Sequence, residues 1–289
     1  MNGILLIDKP RDWTSSDVVA KLRGILRERR IGHSGTLDPM ATGLLVVFVG
    51  RATRAVEFAE SHDKRYRALL RLGMETDTQD ITGNRIGGEP REVSEEELEA
   101  ALASFRGDIL QIPPMYSAIK VGGRKLYEIA RRGGEVERKP RTVHIASLQL
   151  LGREEEDFVL DVQCSKGTYI RTLCHDIGRK LGCGGCMSSL RRMQAGDFRL
   201  EDAYTLSQVQ EAADRGEAER LLRPVDSLFA AYPALTVAEK GEQRLRCGGT
   251  AAVTAADGNY RVYGSKGDFL ALGSVSNGEC RSIKSFFEV

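Results

Sequence analysis

The chain has 289 residues, and 42 Lys and Arg against 41 Asp and Glu leave a net charge of +1. That length exceeds the usual single domain, so one large domain with a smaller companion is expected. Near-neutrality excludes nucleic-acid binding by bulk charge and leaves only locally concentrated basic segments to do it.

The start, MNGILLIDKPRDW, lacks a basic region followed by a long apolar core, and no run approaches the roughly 20 apolar residues of a membrane span, so no membrane association and a cytoplasmic location are expected. Cys164, Cys174, Cys183, Cys186, Cys247 and Cys280 are irregularly spaced, which in such a chain reads as free thiols. Only Cys183 and Cys186 form a CxxC, and Cys174 and His175 supply no second pair, so no metal site is expected.

In chain order, residues 3 to 8, GILLID, read as a short buried strand, followed by a turn and a helix capped by Thr14, Ser15 or Ser16. The helix ends in RERRIG, a basic cluster that fits a solvated face as well as it fits phosphate contact. Residues 32 to 50, GHSGTLDPMATGLLVVFVG, then place Asp38 in a glycine-punctuated loop before the apolar strand Leu44 to Val49. Pro39 biases Asp38 away from the helical region, so the loop presents one carboxylate rigidly; on spacing alone it is also an ordinary polar turn before a buried strand.

RATRAVEFAE reads as helical and KRYRALLRLG as a strand with Tyr66 near its start. A polar, turn-rich loop follows, and then VSEEELEAALASFRG, an amphipathic helix opened by Ser94 and Glu97 in capping-box spacing. Residues 108 to 142 look like an insertion, with two prolines, paired glycines and a short helical LYEIARRG. From Ile119 to Arg141, eight basic side chains (Lys120, Arg124, Lys125, Arg131, Arg132, Arg138, Lys139 and Arg141) meet three acidic ones (Glu128, Glu135 and Glu137), a local charge of +5. Tyr116 and Tyr127 are interleaved, as suits RNA contact by stacking and phosphate pairing, although a solvated loop has the same composition.

VHIASLQLLGREEEDFVLDVQC reads as a two-stranded hairpin leading into a helix, with Tyr169 and Arg171 two apart on one strand face. An inward Arg requires a partner, and Asp38 is the expected one. From about Arg223 the chain turns to short β-rich runs separated by glycine turns, the pattern of a small barrel of about 60 residues.

Several of these stretches resemble one family. GHSGTLDPMATGLL resembles the active-site signature of the TruB family of pseudouridine synthases, which act on the T-loop of tRNA. DKPRDW resembles the family's N-terminal motif, with Asp12 where a glycine is usual; Asp tolerates left-handed geometry. Tyr66 matches the active-site tyrosine, CSKGTYIRTL the second active-site motif, and MSSLRRMQAGDF the LRR-x3-G-x-F stretch that contains Leu190.

The resemblance implies an α+β pseudouridine synthase fold: a central mixed, mainly antiparallel sheet flanked by helices, plus a small C-terminal PUA-like β-barrel. It implies a catalytic domain over residues 1–228, with an RNA-binding thumb at 108–142, and an RNA-binding module over 229–289. The implied reaction converts one T-loop uridine, position 55, to pseudouridine: the N1–C1′ bond breaks, the uracil turns and C5 joins C1′, with no cofactor. Asp38, Tyr66 and Arg171 would carry the catalysis, Asp38 as nucleophile or as a base on the ribose. His33, Tyr169, Leu190 and Lys9 would contact substrate, with Lys9 and Pro10 packing beneath the loop.

Reaching a stacked uridine requires base flipping, with Tyr66 stacking on the base and later helping remove the C5 proton. Lys120, Arg124, Lys125, Arg131 and Arg132 would bind RNA. The expected partner is the tRNA T-arm, bound by a monomer with no obligate protein partner. A haloacid-dehalogenase-type phosphatase would need a second Asp where Met40 stands. A non-catalytic RNA-binding protein with a PUA-like tail remains the rival reading, but it has no need of the Asp38, Tyr66 and Arg171 set.

Overall fold

The computed structural model describes residues 1–60, 62–117 and 119–287. Its larger part is a nine-stranded mixed sheet. Along the main path the strands are Gly3–Lys9, Thr42–Val49, Gly185–Ala195, Lys64–Leu72, Asp157–Cys164, Arg141–Glu154 and Gly107–Gln111. Ile31–Ser34 pairs with Thr42–Val49, and Phe198–Arg199 with Gly185–Ala195. All ladders are antiparallel except the one between Gly185–Ala195 and Thr42–Val49, where Arg191 pairs with Thr42 and Arg192 with Gly43. That parallel seam brings the LRR segment beside the strand that the Asp38 loop feeds.

TGLLVVFV is buried on both faces, which is why it reads as a continuous apolar run and not as an alternation. On one face Leu5, Ile7, Leu45 and Val47 pack with Val18, Val19 and Leu22 of helix Ser15–Leu26. These helical positions recur at the spacing of a single buried stripe. A capping box starts that helix: the Thr14 hydroxyl accepts from the Asp17 backbone N–H, and the Asp17 carboxylate accepts from the Thr14 N–H. Asp12 lies in the turn before it at φ 65°, the left-handed geometry expected of it.

The opposite half of the sheet carries the second core. Ala68, Leu70, Leu160, Val162 and Leu190 pack against Ile170, Leu173 and Ile177 of helix Ile170–Lys180 and against Leu98 and Leu102 of helix Glu95–Ala103. Each fully buried Leu or Ile there stabilises the fold by about 1.5–3 kcal/mol. Ser94 caps the latter helix by accepting from the Glu97 backbone N–H.

Four expectations need correction. Tyr169 and Arg171 do not share a strand face: Tyr169 is the extended N-cap and Arg171 lies in the first turn of helix Ile170–Lys180. The insertion is shorter than 108–142, because Gly107–Gln111 and the chain from Arg141 pair with each other in the main sheet, leaving residues 112–140. Only Leu126–Ala130 of its LYEIARRG is helical. RERR is not a helix end, since the first helix stops at Leu26 and Arg27 turns left-handed at φ 50°.

Near the C-terminus a curled five-stranded sheet runs in the order Ala234–Thr236, Gly258–Tyr263, Phe269–Ser276, Glu279–Ser285, Thr250–Ala252. Among the described residues no ladder joins its two edge strands, so it is an open half-barrel. It meets the larger sheet through Phe229, Leu272 and Phe286, which share a core with Leu44, Phe48, Ala55 and Phe198.

Candidate active site

Asp38 stands where two chain segments are clamped together. The Lys9 ammonium, wholly buried, donates to the carbonyls of Pro10 at 2.9 Å, Trp13 at 2.6 Å and Pro39 at 3.2 Å. The Asp12 N–H also donates to the Pro39 carbonyl, and Ser15 exchanges hydrogen bonds with Leu37 through its hydroxyl. The residues on both sides of Asp38 are therefore fixed by the N-terminal turn. Lys9, expected both beneath the Asp38 loop and among the substrate contacts, is found in the first place as a structural clamp, all three of its N–H directions being spent on backbone carbonyls. Burial pulls its pKa down to about 8.

Arg171 reaches Asp38 from the start of its helix. Its Nε lies 2.9 Å from one Asp38 carboxylate oxygen, and one Nη donates to the other at 3.4 Å. The same guanidinium donates to the Thr78 carbonyl at 3.0 Å and the Tyr116 carbonyl at 2.8 Å, and lies 3.5 Å from the Asp80 carboxylate. Arg171 is thus the hub of three loops: the Asp38 loop, the 76–82 turn and the base of the insertion. Its helix entrance is held by Gln111, whose side-chain amide donates to the Tyr169 carbonyl and accepts from the Tyr169 N–H.

The Asp38 side chain keeps 39% of its surface accessible while Arg171 keeps 6%. Asp38 is therefore open on one side, while the groups around it still deprive it of bulk solvent. That desolvation raises its pKa above the ordinary carboxylate value; Arg171 pulls against it, Asp80 reinforces it, and Lys9 lowers it slightly. Arg171 alone would favour the charged form, but desolvation outweighs it.

Tyr66 and Leu190 share one sheet face with Arg192, because Arg192 pairs with Tyr66 and Leu190 with Ala68 across the ladder. Tyr66 is half-buried and its phenol is pushed up by burial, with Arg192 opposing. Leu190 is in the core beside Leu37 and Met40. His33 sits on strand Ile31–Ser34 opposite Val47, its pKa lowered by burial and by Arg192. Tyr169 is half-buried at its helix cap.

In the insertion, Arg124, Arg131 and Arg132 are exposed, and Arg131 lies over the Tyr127 ring at 5.5 Å. Lys120 and Lys125 belong to a small hairpin turned by Gly122 and Gly123 at φ 57° and 82°; their side chains lie outside what the structure describes. Among the described residues no group of three or more Cys, His, Asp or Glu side chains is arranged to hold a metal ion.

Sequence reasoning missed Asp80, Gln111 and Arg192. Asp80 and Gln111 carry no periodic signal, but Arg192 was findable: two residues after an inward Leu190 on a strand, it had to point the same way.

A single carboxylate gripped by a buried Arg and open to one side can serve as a nucleophile or as a base. The N-terminal domain model of the TruB family pseudouridylate synthases matches residues 23–170, and the model of the tRNA pseudouridylate synthase B C-terminal domain matches residues 171–230. The chain is 44% identical over 281 residues to tRNA pseudouridine synthase B of Stutzerimonas stutzeri, covering 96% of this chain and 92% of that protein. It is 39% identical to the protein of the same name from Clostridium kluyveri, over 99% of this chain and all of that one. A crystal structure of a Cbf5-Nop10-Gar1 complex superposes with a TM-score of 0.75 at 26% identity, covering 99% of this chain and 85% of that one. The chain belongs to the TruB family.

Proposed function

We propose that the protein isomerises one uridine of the tRNA T-loop, position 55, to pseudouridine, with Asp38 as the catalytic carboxylate. The observation that carries this reading is the paired grip of Arg171 on an otherwise accessible Asp38. It orients one carboxylate toward the open side without blocking it. The relatives of the same name act on tRNA, which supports tRNA as the substrate.

The N1–C1′ bond must break, the uracil must turn, and C5 must bond to C1′ before its proton leaves. Asp38 acts at the ribose, either by attack at C1′ or by taking a sugar proton, and both require its ionised form. A T-loop uridine reaches that carboxylate only when extruded from the stack. Tyr66 then stacks on the base and takes the C5 proton, Leu190 and Tyr169 bound the pocket, and His33 fills the vacated space in the RNA. Residues 112–140 form a thumb that meets phosphates through Arg124, Arg131 and Arg132 with Lys120 and Lys125. The chain divides functionally near residue 228, with the half-barrel over 229–289 as a PUA-like RNA-binding module, and it acts as a monomer without a protein partner.

The test is to incubate the protein with unmodified tRNA and map pseudouridine by position. Conversion confined to uridine 55 is the expected result; conversion elsewhere, or none, overturns the proposal.

A further inference from the structure

Arg192 is the largest fully buried side chain in the described structure, 1% exposed. A buried guanidinium is ordinarily matched by a carboxylate, because the desolvation cost is several kcal/mol. Arg192 has none: among the described residues no Asp or Glu lies within 4.0 Å of it. Its Nε donates to the Leu44 carbonyl at 2.6 Å, and one Nη nitrogen is buried with no hydrogen-bond partner among the described residues.

The surrounding backbone is shaped to admit it. Gly35, at φ 68°, passes so close that a Cβ there would lie 3.0 Å from an Arg192 Nη, and a Cβ on Gly43, at φ 95°, would lie 2.4 Å from the Arg192 carbonyl oxygen. Gly35 belongs to the loop that carries Asp38, and Gly43 to the start of strand Thr42–Val49 that this loop feeds. The groups facing this charge are Tyr66, His33, Lys9 and Lys64; it draws each toward its deprotonated form, while for Tyr66 burial is the larger effect and the phenol stays above its ordinary value. Tyr66 alone among them gains a negative charge on ionising. It also stands directly across the ladder from Arg192.

Asp38 and Asp80 are balanced by Arg171 and Lys9, so the positive charge of Arg192 is surplus to the site. We propose that Arg192 is a positioning residue for Tyr66, fixing the phenol and holding its oxygen in a field that stabilises the phenolate when the C5 proton must be taken. The inference rests on Tyr66 as the acceptor of that proton.

In the step itself the C5–H bond breaks and its electron pair becomes the C5=C6 bond. The C6=N1 pair moves onto N1, which takes a proton from water. The C5 proton goes to the phenolate oxygen of Tyr66, which had released its own proton to solvent. Loss of Arg192 therefore slows C5 deprotonation and leaves glycosidic cleavage at Asp38 in place. A mere core strut, when removed, would slow the reaction without singling out the C5–H bond.

The experiment is single-turnover conversion of saturating unmodified tRNA carrying either ordinary or 5-deuterated uridine, by the wild type, Tyr66→Phe, Arg192→Gln and Arg192→Lys. Arg192→Gln is expected to be slower by about tenfold or more, with a deuterium effect above the wild-type value and shared with Tyr66→Phe. Arg192→Lys, which keeps the charge, is expected to retain the wild-type deuterium effect. Slow conversion by Arg192→Gln with no added deuterium effect, while Tyr66→Phe shows one, overturns the inference and leaves Tyr66 in its role. No added effect in Tyr66→Phe removes the underlying reading and the inference with it. Should Arg192→Gln not fold, Arg192→Lys decides: a wild-type deuterium effect supports the charge argument, and a raised one overturns it.

Discussion

Replacing Arg171 by Met removes the hub of the site while keeping most of its apolar volume. Two carboxylates lose the cation paired with them: Asp80, with 7% of its side chain accessible, and Asp38, with 39%. The carbonyls of Thr78 and Tyr116 lose a charged donor as well. Breaking a buried pair from one side costs about 3–5 kcal/mol. The accessibility of Asp38 moves the expectation to the lower end, about 3 kcal/mol, which for a chain of this size lowers Tm by roughly 6–10 °C.

The loss has its own pH signature. Burial already raises the pKa of Asp38 against the pull of Arg171; without that pull the folded variant takes up this proton at a higher pH than the wild type does, so the gap in Tm narrows as the solution is acidified. Single-turnover conversion falls on the order of 10²–10³-fold, because Asp38 is no longer oriented. Thermal melts across a pH series, paired with conversion assays, measure both. An unchanged Tm with full activity would show that Arg171 and Asp38 do not meet, and a Tm gap that widens on acidification would refute the stranded-charge explanation.

The remaining predictions concern the thumb, the clamp and the titration of the site. Replacing Arg124, Lys125, Arg131 and Arg132 together by Ala weakens tRNA binding and flattens its salt dependence by up to roughly three units of log K per log salt, at about 0.7–0.9 per phosphate contact. A slope equal to that of the wild type in a salt-series titration would make the thumb a solvated loop. Lys9→Met leaves the Pro10, Trp13 and Pro39 carbonyls without their donor and costs about 1–3 kcal/mol of stability, with tRNA affinity retained because Lys9 has no open surface; a large rise in Kd would return it to the substrate contacts. Since burial raises the pKa of Asp38 and the ionised form is required, conversion is lost as pH falls through a value above the ordinary Asp value of about 3.9; an acid limb at or below that value in single-turnover rates contradicts the desolvated site.

The strands and the capped helices were legible because their signals are local. GILLID, TGLLVVFV and KRYRALLRL declare themselves by composition, and Thr14 and Ser94 by capping chemistry. Segment joints were not, since they are decided by tertiary pairing. Gly107–Gln111 looked like the beginning of an insertion until its ladder with Arg141–Ile145 made it an edge strand. CSKGTYIRTL alternates well enough for a strand, yet Gln111 anchors the Tyr169 backbone as the cap of a helix instead.

The site followed the same division. Asp38 and Arg171 were paired from motif and charge logic, and the structure joins them. Asp80 sits in a polar turn, where the 93-residue separation between Thr78 and Arg171 hides the contact. The place of Lys9 beneath the Asp38 loop was legible from the N-terminal motif, but the three carbonyls that converge on it, and leave it no substrate contact to make, were not.

The most direct test of the central claim uses one substitution and one label. Asp38→Asn keeps the side-chain shape and removes both charge and nucleophilicity. With an unmodified T-arm stem-loop carrying uridine tritiated at C5, the wild type is expected to release tritium in step with pseudouridine formation. Asp38→Asn is expected to release none while binding the RNA within about tenfold of wild-type affinity. Turnover by Asp38→Asn above a few per cent of the wild-type rate would remove Asp38 from the catalytic role.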